Sequence, residues 1–203
     1  MNIQCPSCGA ESKIWNPASI SATCNYCDTV MLLVDQTWEN SGQQSRLSQG
    51  FSKLYRGAVC QIDNRTFQVL GRVRYSFGRG FWDEWYVQED TGDRHWITED
   101  DHEFALQQRI DTPSELQQRN QLSVGSQVTV LDIPCQILEV GEAICVGVEG
   151  ELPRTILPNE RYAYADGSSL DGQYTLGIEY DDDIPTVFWG RWLSPKDISC
   201  LEP

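Results

Sequence analysis

Val73, Tyr75 and Phe77 alternate with Arg72, Arg74 and Ser76, a period of two that predicts a β-strand with one buried face. Gly78-Arg79-Gly80 reads as the hairpin loop after it, residues 81–87 as the returning strand, and Thr91-Gly92-Asp93 as the next turn. A three-residue loop would set Phe77 opposite Phe81, Arg74 opposite Glu84 and Val73 opposite Trp85. Residues 128–130, 136–140, 174–180 and 186–193 carry the same strand signal. Pro134 and Pro185 mark strand starts or edges, because proline has no N–H to give to a ladder. Residues 30–34 form an apolar run of strand length, far short of the ~20 residues that cross a bilayer. One region breaks the pattern. Residues 99–109 are strand-poor, with Phe104 and Leu106 available for packing, and Thr112, Pro113 and Glu115 form a capping box that predicts a short helix ending near Asn120.

Ahead of the strands stand two cysteine pairs, Cys5-x-x-Cys8 and Cys24-x-x-Cys27, with fifteen residues between them. That spacing is the zinc-ribbon pattern. Zinc takes four soft ligands at the corners of a tetrahedron, and each two-residue gap lets the chain curl until both sulfurs face one ion. Gly9 supplies a positive φ after the first knuckle, and residues 30–34 read as the return strand beneath the site. Two disulfides, or a redox pair, are the alternatives; without a visible secretory signal the expected compartment is the cytoplasm, where thiols stay reduced. The expected cofactor is a structural zinc on Cys5, Cys8, Cys24 and Cys27, with no open position for a substrate. Cys60, Cys135, Cys145 and Cys200 lie in apolar surroundings and read as small buried hydrophobes.

Beyond a polar stretch, two segments echo each other. "RGAVCQIDNRTFQVLG" begins at Arg56 and "VGSQVTVLDIPCQILE" at Val124; Gly57 matches Gly125, and Gln68, Val69 and Leu70 match Gln136, Ile137 and Leu138, all at an offset of 68. "WITEDD" from Trp96 echoes "WLSPKD" from Trp192 at an offset of 96, which places 28 extra residues in the middle of the second copy. The expected fold is mainly β. A zinc ribbon occupies residues 1–36, a linker 37–50, a first β module 51–101, a helical connector 102–120 and a second β module with an acidic insertion 121–203. Each module is expected to be small and barrel- or sandwich-like.

The second copy also carries "EGELP" from Glu149, "TLGIEY" from Thr175 and "FWGRWLS" from Phe188, and the first carries "FWDEWYV" from Phe81 and "DRHWITED" from Asp93. In these phrases the chain resembles the bacterial domain-of-unknown-function family 4178, whose members likewise pair a Cys-x-x-Cys ribbon with a β-rich region. The resemblance implies no established activity and carries over no catalytic residue. It implies genomic company with phage-shock-type membrane-stress proteins and polyamine-synthase-like enzymes, hence a part in an envelope-stress or polyamine-linked assembly.

Charge narrows the partners. The formal net charge is −15, of which residues 121–203 hold −10. Such a surface repels a phosphate backbone, so nucleic acid is not the expected partner. Asp166, Asp171, Glu179 and Asp181-Asp182-Asp183 make the insertion acidic throughout, a face suited to a cationic small molecule such as a polyamine. The expected binding surface for a protein partner is the hairpin that interleaves Arg72, Arg74 and Arg79 with Trp82 and Trp85. The same residues read structurally as an Arg–Glu pair and apolar pairs across a sheet. His95 and His102 lack the spacing of a metalloprotease helix, and no nucleophile elbow or phosphate-binding glycine loop is present. The residues favour a non-catalytic zinc-binding adaptor. An enzyme with its site between the two β modules, or a single-stranded nucleic-acid binder using the Arg/aromatic hairpin, are the alternatives.

Overall fold

The structure is a computed structural model and describes residues 1–48, 50–114, 116, 118–180 and 184–201. Strands β1 (Asn2–Gln4) and β2 (Glu11–Lys13) pair across the first knuckle. Strands β3 (Ser21–Thr23), β4 (Thr29–Val34) and β5 (Thr37–Gln44) form an antiparallel run across the second. The expected linker is therefore largely a strand. Its backbone satisfies β4, after a two-residue turn in which Asp35 and Gln36 both take positive φ.

Two five-strand meanders follow. The first comprises β6 (Val59–Ile62), β7 (Arg65–Ser76), β8 (Phe81–Glu89), β9 (Arg94–Asp100) and β10 (Glu103–Ile110). The second comprises β11 (Gln127–Val130), β12 (Ile133–Leu152), β13 (Arg161–Ser169), β14 (Thr175–Glu179) and β15 (Thr186–Leu193). A last short strand, β16 (Ile198–Cys200), returns to pair with β6.

The meanders match in detail at the offset of 68. Gly57 and Gly125 both take positive φ, and each donates its N–H at 2.8 Å, to the Val69 and Ile137 carbonyls respectively. Asp63-Asn64 and Leu131-Asp132 are both left-handed two-residue turns. A bulge interrupts β7 between Val69 and Gly71, and β12 between Ile137 and Glu139. The Trp96–Trp192 echo has no such counterpart. Trp96 lies in β9, whose equivalent in the layout is β14, whereas Trp192 lies near the end of β15.

The expected helix over residues 99–109 is instead the β9–β10 hairpin. Asp101 and His102 both have positive φ, which a helix cannot accommodate, and Glu103 turns back to pair with Asp100. Phe104 and Leu106 sit two apart and enter one core, the strand period rather than the helical one. Glu115 of the expected capping box lies outside the described residues; among these, the helical element is one 3₁₀ turn, Arg119–Gln121.

Strand pairing closes on itself: β7–β8–β9–β10–β15–β14–β13–β12 and back to β7, antiparallel throughout. Both seams between the meanders are tight. At the β7–β12 seam Gly71 faces Gly150, and a Cβ on either would strike the opposite backbone. At the β10–β15 seam a Cβ on Gly190 would strike the Leu106 carbonyl oxygen. Only glycine permits approach this close. One apolar core, with Phe67, Trp85, Ile97 and Leu193, lies on the outer side of the first meander. Another, with Ile137, Ile178 and Trp189, lies on the outer side of the second. A third, with Val73, Tyr75, Tyr162 and Phe188, lies between them.

Cys60 and Cys200 face each other on β6 and β16 and form a disulfide spanning 140 residues. This corrects the reading of both as small buried hydrophobes and runs against the expectation that every thiol stays reduced. Cys135 and Cys145 are free and buried.

Candidate metal centre and interior cavity

The two cysteine knuckles have one build. Cys5 N–H donates to the Ala10 carbonyl and Gly9 N–H to Cys5; Cys24 N–H donates to Thr29 and Asp28 N–H to Cys24. Gly9 and Asp28 take the positive φ that closes each turn. The four sulfurs of Cys5, Cys8, Cys24 and Cys27 lie within 4.8 Å of one another, close enough to hold one metal ion. The nearest approaches run across the knuckles, 3.7 Å from Cys5 to Cys27 and 3.8 Å from Cys8 to Cys24. All four cysteines are free, so neither pair is a disulfide.

The four-cysteine segment is not tethered loosely. β3 extends the ladder of β12, pairing Ala22 with Glu151 and Ser21 with Leu152. The Glu151 carboxylate is buried and accepts the Trp15 N–H at 2.8 Å, the Asn16 N–H at 2.9 Å and the Ser19 hydroxyl at 2.9 Å. The Ser45 hydroxyl both donates to the Val148 carbonyl and accepts the Val148 N–H, each at 2.6 Å. The "EGELP" phrase is thus the joint between ribbon and body. Glu149 meets Arg72 at 3.1 Å, Gly150 admits β7, and Glu151 holds the ribbon.

The Arg/aromatic hairpin differs from expectation by one register step. Its loop holds four residues, 77–80, so Ser76 pairs with Phe81, Arg74 with Asp83 and Val73 with Glu84. The Arg74 guanidinium grips Asp83 with two bonds, 2.8 and 2.6 Å, a fork-to-fork pair. Arg72 lies over the Trp85 ring and donates to the Ser48 carbonyl. Arg72, Arg74 and Trp85 are buried, and Arg72 and Trp85 lie at the bottom of a pocket shared with residues 45–47 and 50–56. Arg79 is exposed and Trp82 half-buried. His95 is also buried, its Nε2 3.2 Å from Glu89, and that burial lowers its basicity.

Sequence reasoning missed the interior. Between the meanders lies a cavity of about 340 Å³, lined from β8, β9, β10, β12, β13, β14 and β15. Trp82, Trp96, Tyr162, Tyr164 and Phe188 form much of its wall. Glu84, Asp100, Glu103, Glu139, Asp166 and Glu179 face the same space. Burial, reinforced by the Glu179 charge, pushes the Glu84 carboxyl up to about 8, although the Trp82 indole N–H donates to it at 3.0 Å. Burial together with Glu139, Glu179 and Asp100 pushes Asp166 up to about 7. Tyr162 and Arg154 both bond Glu179, Arg154 at 2.6 Å. Tyr164 donates to Glu139 at 2.6 Å. Asp166 and Glu179 of the expected acidic face thus turn inward. Asp171 stays on an exposed turn, bonded by Ser169 and Gln173, and Asp181–Asp183 lie outside the described residues. The signal was present in the alternation: Trp82 with Glu84, and Tyr162, Tyr164 with Asp166, share a face at period two.

Among the described residues no helix is long and apolar enough to cross a membrane. Comparison with curated proteins and with solved structures found no match. The family model described as "Domain of unknown function (DUF4178)" matches residues 56–195, which takes in both meanders and leaves the ribbon outside. From Arg56 through Pro195, then, in its doubled meander and the joint at Glu149–Leu152, the chain belongs to the DUF4178 family.

Proposed function

We propose that the protein is a zinc-binding adaptor that performs no chemistry of its own. Cys5, Cys8, Cys24 and Cys27 hold one structural Zn²⁺, and the barrel-like body presents surface to a protein partner. The observation that carries this reading is the meeting of four sulfurs within 4.8 Å on two knuckles of identical hydrogen-bond pattern. Four thiolates are a soft donor set that suits zinc and leave no position for a substrate. Binding worth about 10–16 kcal/mol supplies most of the stability of so short a module. Trp15 and Tyr26 stand exposed on the ribbon and offer a partner aromatic contact area. Metal analysis of the purified chain is expected to find one zinc per molecule, lost in Cys24→Ser. Wild-type protein without tightly held zinc, or undiminished zinc in the variant, refutes the metal assignment. Affinity capture that recovers the same proteins with wild type and with Trp15→Ala/Tyr26→Ala refutes the role given to the ribbon surface.

An enzyme acting between the two β units is the second reading. It is favoured by the carboxyls of Glu84 and Asp166, which titrate near neutrality inside a cavity. His95 lies outside the cavity, against Glu89.

A further inference from the structure

We propose that the cavity between the meanders is a binding site for a small organic cation, an ammonium ion carried on a short apolar skeleton. The inference is independent of the cysteine site and rests on four features of the interior.

The first is charge. Six carboxyl groups face the cavity, and no Lys, Arg or His occurs among the described residues that line it. Arg154 stands nearby, but its guanidinium is bound to Glu179 through two nitrogens, at 2.6 and 2.9 Å. Among the described residues no Lys, Arg or His forms an ion pair with the other five carboxyls, and Arg154 acts on Glu84 only at longer range. Among the described residues Asp166 has no hydrogen-bond donor, and it lies over Gly177, where a built Cβ would stand 3.6 Å from its oxygen. Its side chain is solvent-accessible and lies among the residues that line the cavity.

The second is the wall. Trp82, Trp96, Tyr162 and Tyr164 present aromatic rings beside these carboxyls. Ring faces attract cations, and an attraction of that kind strengthens where water is excluded. Acid and aromatic groups alternating round an enclosed space match an ion that is charged at one place and apolar at another.

The third is an orphaned hydroxyl. Tyr75 is wholly buried, its ring packed 5.2 Å from Trp82 and 4.9 Å from Tyr162, both wall residues. Among the described residues its Oη has no hydrogen-bond partner, and the groups that act on it are Glu84, Tyr162, Arg154 and Glu179. A buried phenol without a partner costs free energy, and this one stands directly behind the cavity wall formed by Trp82 and Tyr162.

The fourth is spacing. Among the described residues, the cysteines are the group of three or more ligating side chains close enough to hold a metal ion; the cavity carboxyls are spread wider than that. A bare ion would meet too few of them at once. An extended diammonium can meet two. The volume of about 340 Å³ holds a ligand of a few carbon atoms, and exposed Phe77, Asp100, Glu139 and Trp192 mark the open end.

The test uses the full chain at physiological salt, with butane-1,4-diamine and tetramethylammonium as cation probes and butane-1,4-diol as the neutral match for the first. Trp82 and Trp96 line the cavity, so indole fluorescence reports occupancy. Saturable change with at least one cation and none with the diol is expected. Affinity should rise from about pH 6 to about pH 9, as Glu84 and Asp166 lose their protons in the field of Glu139, Glu179, Asp100 and Arg154. Glu84→Gln and Asp166→Asn should each weaken binding by roughly tenfold. The proposal is overturned by no saturable binding of either cation, by equal binding of the diol, or by full affinity in both variants. If both variants fail to fold, the diamine–diol comparison and the pH series on wild-type protein decide the matter. Release of a modified product from either cation would overturn a pure binding role and support the enzyme reading.

Discussion

Replacing Glu151 by Ala tests whether one buried carboxylate fastens the ribbon to the β body. The side chain is 5 % exposed, and its two oxygens accept three bonds of 2.8 to 2.9 Å from Trp15, Asn16 and Ser19. Hydrogen bonds to a charged group contribute about 1.5–3 kcal/mol each, and a buried donor left without a partner costs about 1–3 kcal/mol. The three bonds share one carboxylate and so do not add. The expected loss is about 3–5 kcal/mol, that of one or two bonds to a charged group whose buried donors are left without a partner. The β3–β12 ladder and the Ser45–Val148 bonds remain, so the chain is expected to fold. Urea denaturation gives the stability change, and limited proteolysis of residues 13–20 reports whether the joint has opened. Glu151→Gln keeps the shape without the charge and should lose about half as much. A loss under about 1 kcal/mol with unchanged cleavage would refute the argument, because a surface substitution does as much.

Gly190→Ala forces a Cβ against the Leu106 carbonyl at the β10–β15 seam, and should lower stability by about 1–3 kcal/mol in urea; an unchanged midpoint would contradict the close approach. Burial holds a proton on Glu84 up to a pH of about 8, against 4.5 for an ordinary glutamate, so the folded chain binds a proton that the unfolded chain has released between those values. Stability should therefore fall as pH rises through that window and level off above it. Melting curves across the window should be less steeply pH-dependent in Glu84→Gln, and equal slopes would show that Glu84 does not hold the proton. Unfolded, metal-stripped protein should show six reactive thiols before reduction and eight after it, since Cys60 and Cys200 are bonded; eight before reduction would exclude the bond. Its loss should cost up to about 4–5 kcal/mol, because it closes a loop of more than a hundred residues in the unfolded chain.

The four-cysteine cluster was legible because its pattern is local. Two-residue gaps and a glycine suffice to build a knuckle, and Cys5 to Cys8 and Cys24 to Cys27 curl as that spacing requires. The repeat was legible where turns recur, at Gly57 and Gly125, and misleading where a tryptophan recurs, at Trp96 and Trp192. Turn geometry constrains the backbone, whereas a tryptophan fits many environments. Residues 99–109 were misread because Phe104 and Leu106 were weighed without the Asp101-His102 turn before them. Asp101 and His102 both adopt the left-handed conformation, which non-glycine residues take infrequently, so the turn did not declare itself. Residues 37–44 were misread because a polar strand on a small sheet has little apolar alternation to show.

By itself, the sequence determined whatever depends on near neighbours: four cysteines at ribbon spacing, strands that alternate at period two, and glycines at the repeated turns. It also determined that Trp82 and Glu84 share a face, but not which way that face points, because alternation looks the same when inside and outside are exchanged. Tertiary structure decided this. Closure of eight strands through the Gly71–Gly150 and Gly190 seams turned that face inward and enclosed the carboxyls with the aromatic rings. It likewise decided that Glu151 would hold residues 15–19, more than a hundred positions away, since such pairing depends on the whole sheet and leaves no trace in local spacing.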